Sequence, residues 1–282
     1  MAVKLIALDL DGTTLNSEGR LSGKNRQALE KAIEKDINVV IATGRCYAAL
    51  PRDISEIHGI QYAITSNGAQ VRDLRSGGTL LNRCIDSRAV EAAADILARY
   101  PYMVEVFTDG KAYLEKKDYE KIVSGGNAYR RREYVMETRN PVDGAMDFML
   151  AHKDAIENIN IFFDDQKEKA EMRGRLETIE NVTLTSSLDN NWEIGGRYTS
   201  KASALAELCR ILDVEKDEIM ACGDSPNDGD MLREAGIPVA VGNAKDVIKE
   251  LAVYVAGSND EDGVAEAVER FALAWPANEK ND

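Results

Sequence analysis

Asp9-Leu10-Asp11-Gly12-Thr13 follows directly on the apolar run Leu5-Ile6-Ala7-Leu8. Two carboxylates, one residue apart, stand where a buried strand would run out into a turn. Gly12 permits a sharp bend and Thr13 adds a hydroxyl. The arrangement suits a carboxylate nucleophile beside a second carboxyl that moves protons. Asp and Gly are also favoured turn residues, so on its own the loop reads equally as a plain β-turn. Its companions shift that balance. Thr43-Gly44-Arg45 ends a second apolar run, Lys201 opens a helical stretch behind Thr199-Ser200, and Gly223-Asp224-Ser225-Pro226-Asn227-Asp228 ends another strand-like run.

Carboxylates gathered from separate strand ends repel one another unless a cation holds them. Hard oxygen donors suit Mg²⁺, which takes one or two carboxylates and a phosphate oxygen and keeps several waters. Such an ion lets an anionic carboxylate approach a phosphoryl group. Asp9 would then attack phosphorus and form an aspartyl-phosphate. Asp11 would protonate the leaving oxygen and later deprotonate the attacking water. Thr43 and the Gly44 N–H would bind phosphoryl oxygens, and Lys201 would offset charge in the transition state.

The elements that must position these groups alternate. Val3 to Leu8 reads as a fully buried strand. A helix carrying Ala28, Leu29, Ala32 and Ile33 follows, then the strand from Ile37 to Ala42, a helix over Tyr47 to Ile57, and the strand Tyr62 to Thr65. This is the pattern of a doubly wound α/β parallel sheet, whose ligands gather at the carboxyl ends of the strands. After about Ile85 the character changes. A helix over Ser87 to Arg99, a hairpin turning at Thr108-Asp109-Gly110, a strand over Ile159 to Phe163, a helix over Gln166 to Ile179 and a strand over Val182 to Thr185 make a separate α+β unit. The parallel pattern resumes with a helix over Lys201 to Leu212, strands over Glu218 to Cys222, Gly236 to Val241 and Val253 to Val255, and a last helix over Val264 to Ala274. One sheet domain is thus expected in two parts, 1–85 and 191–282, around an insertion at 86–190.

Composition bounds the partners. With 282 residues, 44% hydrophobic and 30% charged, the chain can build a core. A net charge of −14 argues against nucleic acid. Cys46, Cys84, Cys209 and Cys222 lack CxxC spacing, which reads as free thiols in a reducing compartment. Asp9 and Asp11 interrupt the early apolar run, so no signal peptide is read there, and no stretch reaches membrane-span length. A soluble, cytoplasmic protein without membrane or nucleic-acid partners is expected; oligomeric state is left open.

Taken together, the motifs resemble the haloacid dehalogenase (HAD) superfamily of phosphohydrolases, and within it the Cof-type sugar-phosphate phosphatases. The resemblance runs through Asp9 to Thr13, Thr43-Gly44-Arg45, Ser66-Asn67-Gly68-Ala69, Lys201, Gly223 to Asp228 with Met231-Leu232, and Asn259 to Ala265. It implies a HAD-like Rossmannoid core with an inserted α+β cap that closes over the site and helps choose the substrate. It implies Asp9 as nucleophile and Mg²⁺ ligand, and Asp11 as acid/base and metal ligand through its backbone carbonyl. Asp224 would be the third ligand, Thr43, Gly44 and Lys201 would hold the phosphoryl group, and Asn227 would contact it or orient its loop. Asp228 is given a supporting place only. The family's Gly-Val-Ser-Lys-Gly run reads here Tyr198-Thr199-Ser200-Lys201-Ala202, a departure that bears on substrate preference.

Plainer readings stand beside these. Cys46 and Arg52 have the Cys-x5-Arg spacing of cysteine phosphatases, but the intervening residues lack the glycines of a phosphate nest and no base adjoins the thiol. His58 and His152 read as surface or capping residues, Arg130-Arg131-Arg132 as a solvated face, Gly242-Asn243-Ala244 as a turn, and Trp192 as packing at the domain junction. The leading expectation is a Mg²⁺-dependent hydrolase of small phosphorylated metabolites, with sugar phosphates foremost. Hexose phosphomutase-like phosphoryl transfer and a non-enzymatic metabolite-binding regulator are the alternatives. A transporting ATPase would carry Thr in place of Asp11, and a dehalogenase needs neither Asp11 nor a metal.

Overall fold

A computed structural model describes residues 2–126 and 129–274 of the chain. Strand β1 (Leu5–Leu8) is buried at every residue. It lies between two parallel neighbours, which is why it reads as an unbroken apolar run. The sheet continues through β2 (Asn38–Ala42), β3 (Tyr62–Thr65), β4 (Gln70–Asp73) and β5 (Thr79–Asn82). A second sheet holds β6 (Met103–Thr108), β7 (Lys111–Glu115), β8 (Arg139–Val142), β9 (Ile156–Phe162), β10 (Val182–Thr185) and β11 (Asn191–Gly196). The chain then returns to the first sheet with β12 (Ile219–Gly223), β13 (Ile237–Ala240) and β14 (Tyr254–Val255).

The first sheet has eight strands in the order β14-β13-β12-β1-β2-β3-β4-β5, parallel from β14 to β3. The α/β fold expected from the strand–helix alternation is thus present. The second sheet has six strands in the order β10-β11-β9-β6-β7-β8, antiparallel except for the β7–β8 pair. Each sheet has its own apolar core, one around Leu5, Ile41, Leu205 and Met220 and the other around Val106, Ile159, Phe163 and Leu176. The β6–β7 turn is closed by Asp109 and Gly110, both at positive φ, as a tight hairpin of right-handed twist requires.

Four local expectations are corrected. The helix over 47–57 is two short pieces, Tyr47–Ala49 and Arg52–Ser55, because Pro51 between them has no N–H to donate and holds an extended ψ of 141°. The hairpin β4–β5 extends the first sheet antiparallel to β3, and its mixed polar sequence gave no strand signal. The last helix spans Gly263–Val268 and passes into a π-turn over Glu269–Leu273. The second sheet takes in β11, so it runs to Gly196, six residues past the expected boundary at 190. Among the described residues no helix is long and apolar enough to cross a membrane.

Candidate active site

The site is built from the ends of β1, β2 and β12. Asp9 continues the ladder, its N–H donating to Cys222 O at 3.1 Å. The chain then wraps on itself, with the N–H groups of Thr14 and Leu15 donating to Leu10 O at 3.0 and 2.9 Å. Gly12 has φ +80°, and a Cβ there would lie 2.8 Å from Asp224 Oδ2. Only glycine allows the β1 loop so close to the β12 loop. Thr13 Oγ1 donates to Asp224 Oδ1 at 2.9 Å and ties the two together.

A second clamp holds the same loop from the C-terminal side. Asn243 Nδ2 donates to Gly12 O at 2.8 Å, and Asn243 Oδ1 accepts from Asn259 N at 2.9 Å. Asn259 Nδ2 donates to Leu15 O at 3.0 Å. The turn at Gly242-Asn243-Ala244 thus does more than reverse the chain: its asparagine fixes the loop that carries both aspartates.

Lys201 opens the helix Lys201–Leu212, whose first turn is capped reciprocally by Ser200 and Ser203. Its ammonium is buried, 2.6 Å from Asp9 Oδ1 and 2.7 Å from Asp228 Oδ1. Burial opposes its charge, but Asp228 and Asp9 outweigh this and raise its pKa. Asp228 is fully buried and also accepts from the N–H groups of Asp224 and Ser225, both at 3.0 Å on Oδ2. Its part is larger than the supporting place expected of it, since it anchors Lys201 and shapes the Asp224 loop.

Asp9, Asp224 and Asp228 each bring an oxygen within 4.8 Å of the others. Among the described residues, Lys201 is the one cation paired with this group, on Asp9 and Asp228. Desolvation raises the Asp9 pKa well above its ordinary value, with Lys201 opposing and Asp228 and Asp224 adding to the rise. Burial, then Asp228, raise Asp224 likewise. Such a deficit of positive charge in a buried site fits a divalent cation on hard oxygen donors. Asp9 accepts from Lys201 on Oδ1, Asp224 accepts one hydroxyl bond on each oxygen, from Thr13 and Ser225, and Asp228 is held by Lys201 and two N–H groups.

Asp11 points elsewhere. Its carboxylate is gripped by Arg45, Nη2 on Oδ1 at 2.5 Å and Nε on Oδ2 at 2.7 Å. Burial alone would raise its pKa, but the Arg45 bonds and charge bring it below the ordinary value, so it stands ionised. Arg45 is itself fixed by a bond from Nη1 to Ala49 O at 3.1 Å. Thr43 is buried, its hydroxyl accepting from Arg45 N at 3.1 Å.

Asp9, Asp11, Gly12, Thr43, Gly44, Asp224, Ser225 and Asn227 line one cavity of about 230 Å³. Asn227 Nδ2 donates to Asn67 Oδ1 at 3.0 Å, while Asn227 Oδ1 is buried without a partner. The second sheet supplies the opposite wall: Arg130, Ser187, Leu188 and Glu193. Glu193 is buried on β11 and accepts from Asn67 Nδ2, from Ser187 Oγ, and from Asn191 Nδ2 at 2.8 Å. Glu157 on β9 accepts from Ser66 Oγ and Gln70 Nε2, each at 2.8 Å, so the two sheets are joined beside the site by buried carboxylates. A larger cavity of about 440 Å³ adjoins, lined by Asn67, Lys201 and Asn227 on one side and Lys169, Thr185 and Trp192 on the other.

Arg130 is therefore no part of a solvated face. Arg131 also reaches the first sheet's domain, donating to Glu18 O. Nothing local singled out Arg130 from its neighbours. For the second-sheet wall a signal did exist: Asn158 and Asn160 alternate with Ile159 and Ile161, giving β9 a buried polar row. The cysteine reading falls away. Cys46 is buried and its thiol is pushed up to about 11 by desolvation, far from a thiolate nucleophile. Trp192 packs on the second sheet's core and donates to Lys169 O at 2.9 Å.

A family model for haloacid dehalogenase-like hydrolases matches residues 6–268. The chain belongs to that family. It is 34% identical to phosphatase YwpJ of Bacillus subtilis over 93% of this chain and 98% of the relative. It is 30% identical to the B. subtilis 5-amino-6-(5-phospho-D-ribitylamino)uracil phosphatase YcsE over 96% of each chain. A solved haloacid dehalogenase-like hydrolase from B. subtilis superposes with a TM-score of 0.82 at 32% identity, covering 95% of this chain and 99% of that one. The subclass IIB sugar phosphatase BT4131 shares the fold, with a TM-score of 0.81 at 24% identity. This haloacid dehalogenase-like hydrolase is a phosphatase of the Cof-type branch.

Proposed function

We propose that this phosphatase hydrolyses small phosphomonoesters, with phosphorylated sugars or sugar-like metabolites as substrates, through a phosphorylated Asp9. One observation carries the reading: Asp9 and Asp224, from distant parts of the chain, line one cavity with Asp11, and Lys201 from a third part pairs with Asp9. Thr43, Gly44 and Asn227 line that cavity as binding groups for phosphoryl oxygens. Asp9 and Asp224 through their carboxylates, and Asp11 through its backbone carbonyl, would hold Mg²⁺. When bound, the ion neutralises the phosphoryl charge that would otherwise repel a carboxylate nucleophile.

Asp9 Oδ forms a bond to phosphorus as the bond to the leaving oxygen breaks, and Asp11, which takes up a proton from solvent when its Arg45 contacts loosen, supplies that oxygen's proton. Water then attacks the aspartyl-phosphate, Asp11 takes its proton, and Asp9 is released with free phosphate. The Arg45 grip favours the carboxylate form of Asp11 and so suits this second half. Lys201 remains charged throughout and balances Asp9 as its charge moves onto the phosphoryl group. Ser187 and Glu193 offer hydrogen-bonding partners to a hydroxylated leaving group, and the 86–196 segment forms the cap that shapes selection. The free cysteines favour a reducing, cytoplasmic setting.

The test is phosphate release from an aryl phosphate with Mg²⁺, repeated after chelation and in Asp9→Asn. The expected result is loss of turnover by about 10⁴-fold or more in the variant and loss on chelation. Turnover surviving both would end the proposal.

A further inference from the structure

Around Tyr134 three guanidinium groups converge. The ζ carbons of Arg45, Arg130 and Arg139 lie 4.8, 5.5 and 4.7 Å from the ring centroid. Two carboxylates answer them. Asp11 takes both available nitrogens of Arg45, and Glu105 accepts from Arg139 Nε at 2.8 Å and Nη2 at 2.9 Å. Arg130 has a long ion pair with Glu105. Its Nε stands 3.7 Å from Glu105 Oε2, beyond hydrogen-bond reach of an oxygen already engaged, and is buried without a partner. The Tyr134 hydroxyl, in the same cluster, is likewise buried and unpartnered.

A guanidinium shut from water with an unmet donor is destabilising unless something completes it. Surface arginines avoid this by reaching solvent; the Arg130 side chain is only 19% exposed. It lines the cavity together with Asp9, Asp11 and Thr43. The phosphoryl group already has Thr43, Gly44, Asn227 and Lys201. What Arg130 Nε lacks is an acceptor on the leaving-group side.

We propose that Arg130 is a specificity-determining residue that binds a carboxylate carried by the leaving group, making the substrates phosphorylated hydroxy acids or sugar acids. This rests on the hydrolase reading given above. A carboxylate is favoured over a second phosphate because a dianion adds more negative charge to a cavity that Asp9, Asp11, Glu193 and Asp224 already line and that also receives a phosphoryl group. The planar fork of arginine matches a carboxylate with two parallel bonds.

The experiment compares kcat/KM on matched esters with the full chain and Mg²⁺: glycerate phosphate against glycerol phosphate, 3-hydroxypropionate phosphate against propyl phosphate, and propanediol bisphosphate as the dianion arm. The expected preference for the carboxylated member is about tenfold or more. Arg130→Gln brings that ratio close to one, and Arg130→Lys leaves it intermediate. The ratio cancels any general damage to the enzyme. Equal rates within each pair for the unsubstituted enzyme would overturn the proposal, as would a ratio that Arg130→Gln leaves unchanged, the result if Arg130 held the transferred phosphoryl group. A bisphosphate preferred over the carboxylate would also overturn it. If the aryl phosphate is turned over while no pair is discriminated, only the Arg130 assignment fails; if nothing is turned over, the hydrolase reading fails first.

Discussion

Two charge clusters line the cavity, and they are unbalanced in opposite senses. On the first sheet, Asp9, Asp224 and Asp228 share the single ammonium of Lys201. In the other, Arg45 from the loop after β2 and Arg130 and Arg139 from the second sheet's unit surround Tyr134, with Asp11 from the β1 loop and Glu105 from β6 as their carboxylates. Neither imbalance is what stability alone would select, since a buried unpaired charge costs more than an apolar replacement. One side is short of a cation, the other short of an anion. Two complementary deficits across one small space are the mark of a site whose balance is completed by its ligands.

The comparison breaks most sharply at Lys201. Lys201→Met would leave Asp9 and Asp228 buried beside Asp224 with no cation, and urea unfolding is expected to register a loss of roughly 3–5 kcal/mol. Turnover should vanish with it, and Mg²⁺ should recover part of the stability without the turnover. The second cluster has a reserve. In Arg139→Met, Arg130 is close enough to swing onto Glu105, so the expected loss is smaller, about 2 kcal/mol. Combining it with Arg130→Gln removes the reserve, and the double variant should lose roughly 1 kcal/mol or more beyond the sum of the singles. Strict additivity would show that the two arginines do not share Glu105.

Acid separates the clusters by sign. Burial, opposed by Lys201 and reinforced by Asp228 and Asp224, raises Asp9, and burial and Asp228 raise Asp224, above their ordinary 3.8. Between 3.8 and those raised values the folded, metal-free protein binds more protons than the unfolded chain, so this cluster gains stability as pH falls. Glu105 is the reverse. Burial opposes its ionisation, but Arg139 and Arg130 outweigh it and lower its pKa below 4.5. Its contribution is fully present above 4.5 and is lost as pH falls through the lower folded value. Mg²⁺ held by Asp9 and Asp224 as proposed would compete with protons for them, so its stabilising effect should shrink steadily from neutral pH downward. Unfolding midpoints with and without Mg²⁺ across that range check both signs; a Mg²⁺ effect independent of pH would remove the first cluster's claim to the ion.

The smallest effect is expected at Tyr198. It occupies the place of a family glycine with φ +59°, exposed, its ring under Arg197 at 4.6 Å. Tyr198→Gly relieves a left-handed backbone while adding chain entropy to the unfolded state, for a net gain of roughly 1 kcal/mol or less in thermal unfolding. A clear loss would mean that the Arg197 contact outweighs the backbone strain.

Much of the first sheet was legible. β1, β2, β3 and β12 are apolar runs bounded by polar turns, and Asp9, Thr43 and Asp224 sit at their ends because a parallel strand must be dry on both faces and can turn polar only where it stops. Lys201 was legible as the first residue of a capped helix. The hairpin β4–β5 was not, because an edge hairpin needs no apolar alternation. The ownership of β11 was not either. Its sequence makes a strand, but which sheet it joins depends on β9 lying alongside it, and pairing partners separated by about thirty residues leave no local trace.

The chain alone determined the chemistry available at each strand end, since residue type and local spacing fix which groups emerge where a buried strand stops. Only the tertiary structure decided how those groups are charged and paired. Arg130 among three consecutive arginines faces inward, Asp228 became the anchor of Lys201, and Asp11 turned to Arg45. Electrostatic balance is a property of distances across the fold. It is set when the two sheets close on each other, after every local preference has been satisfied.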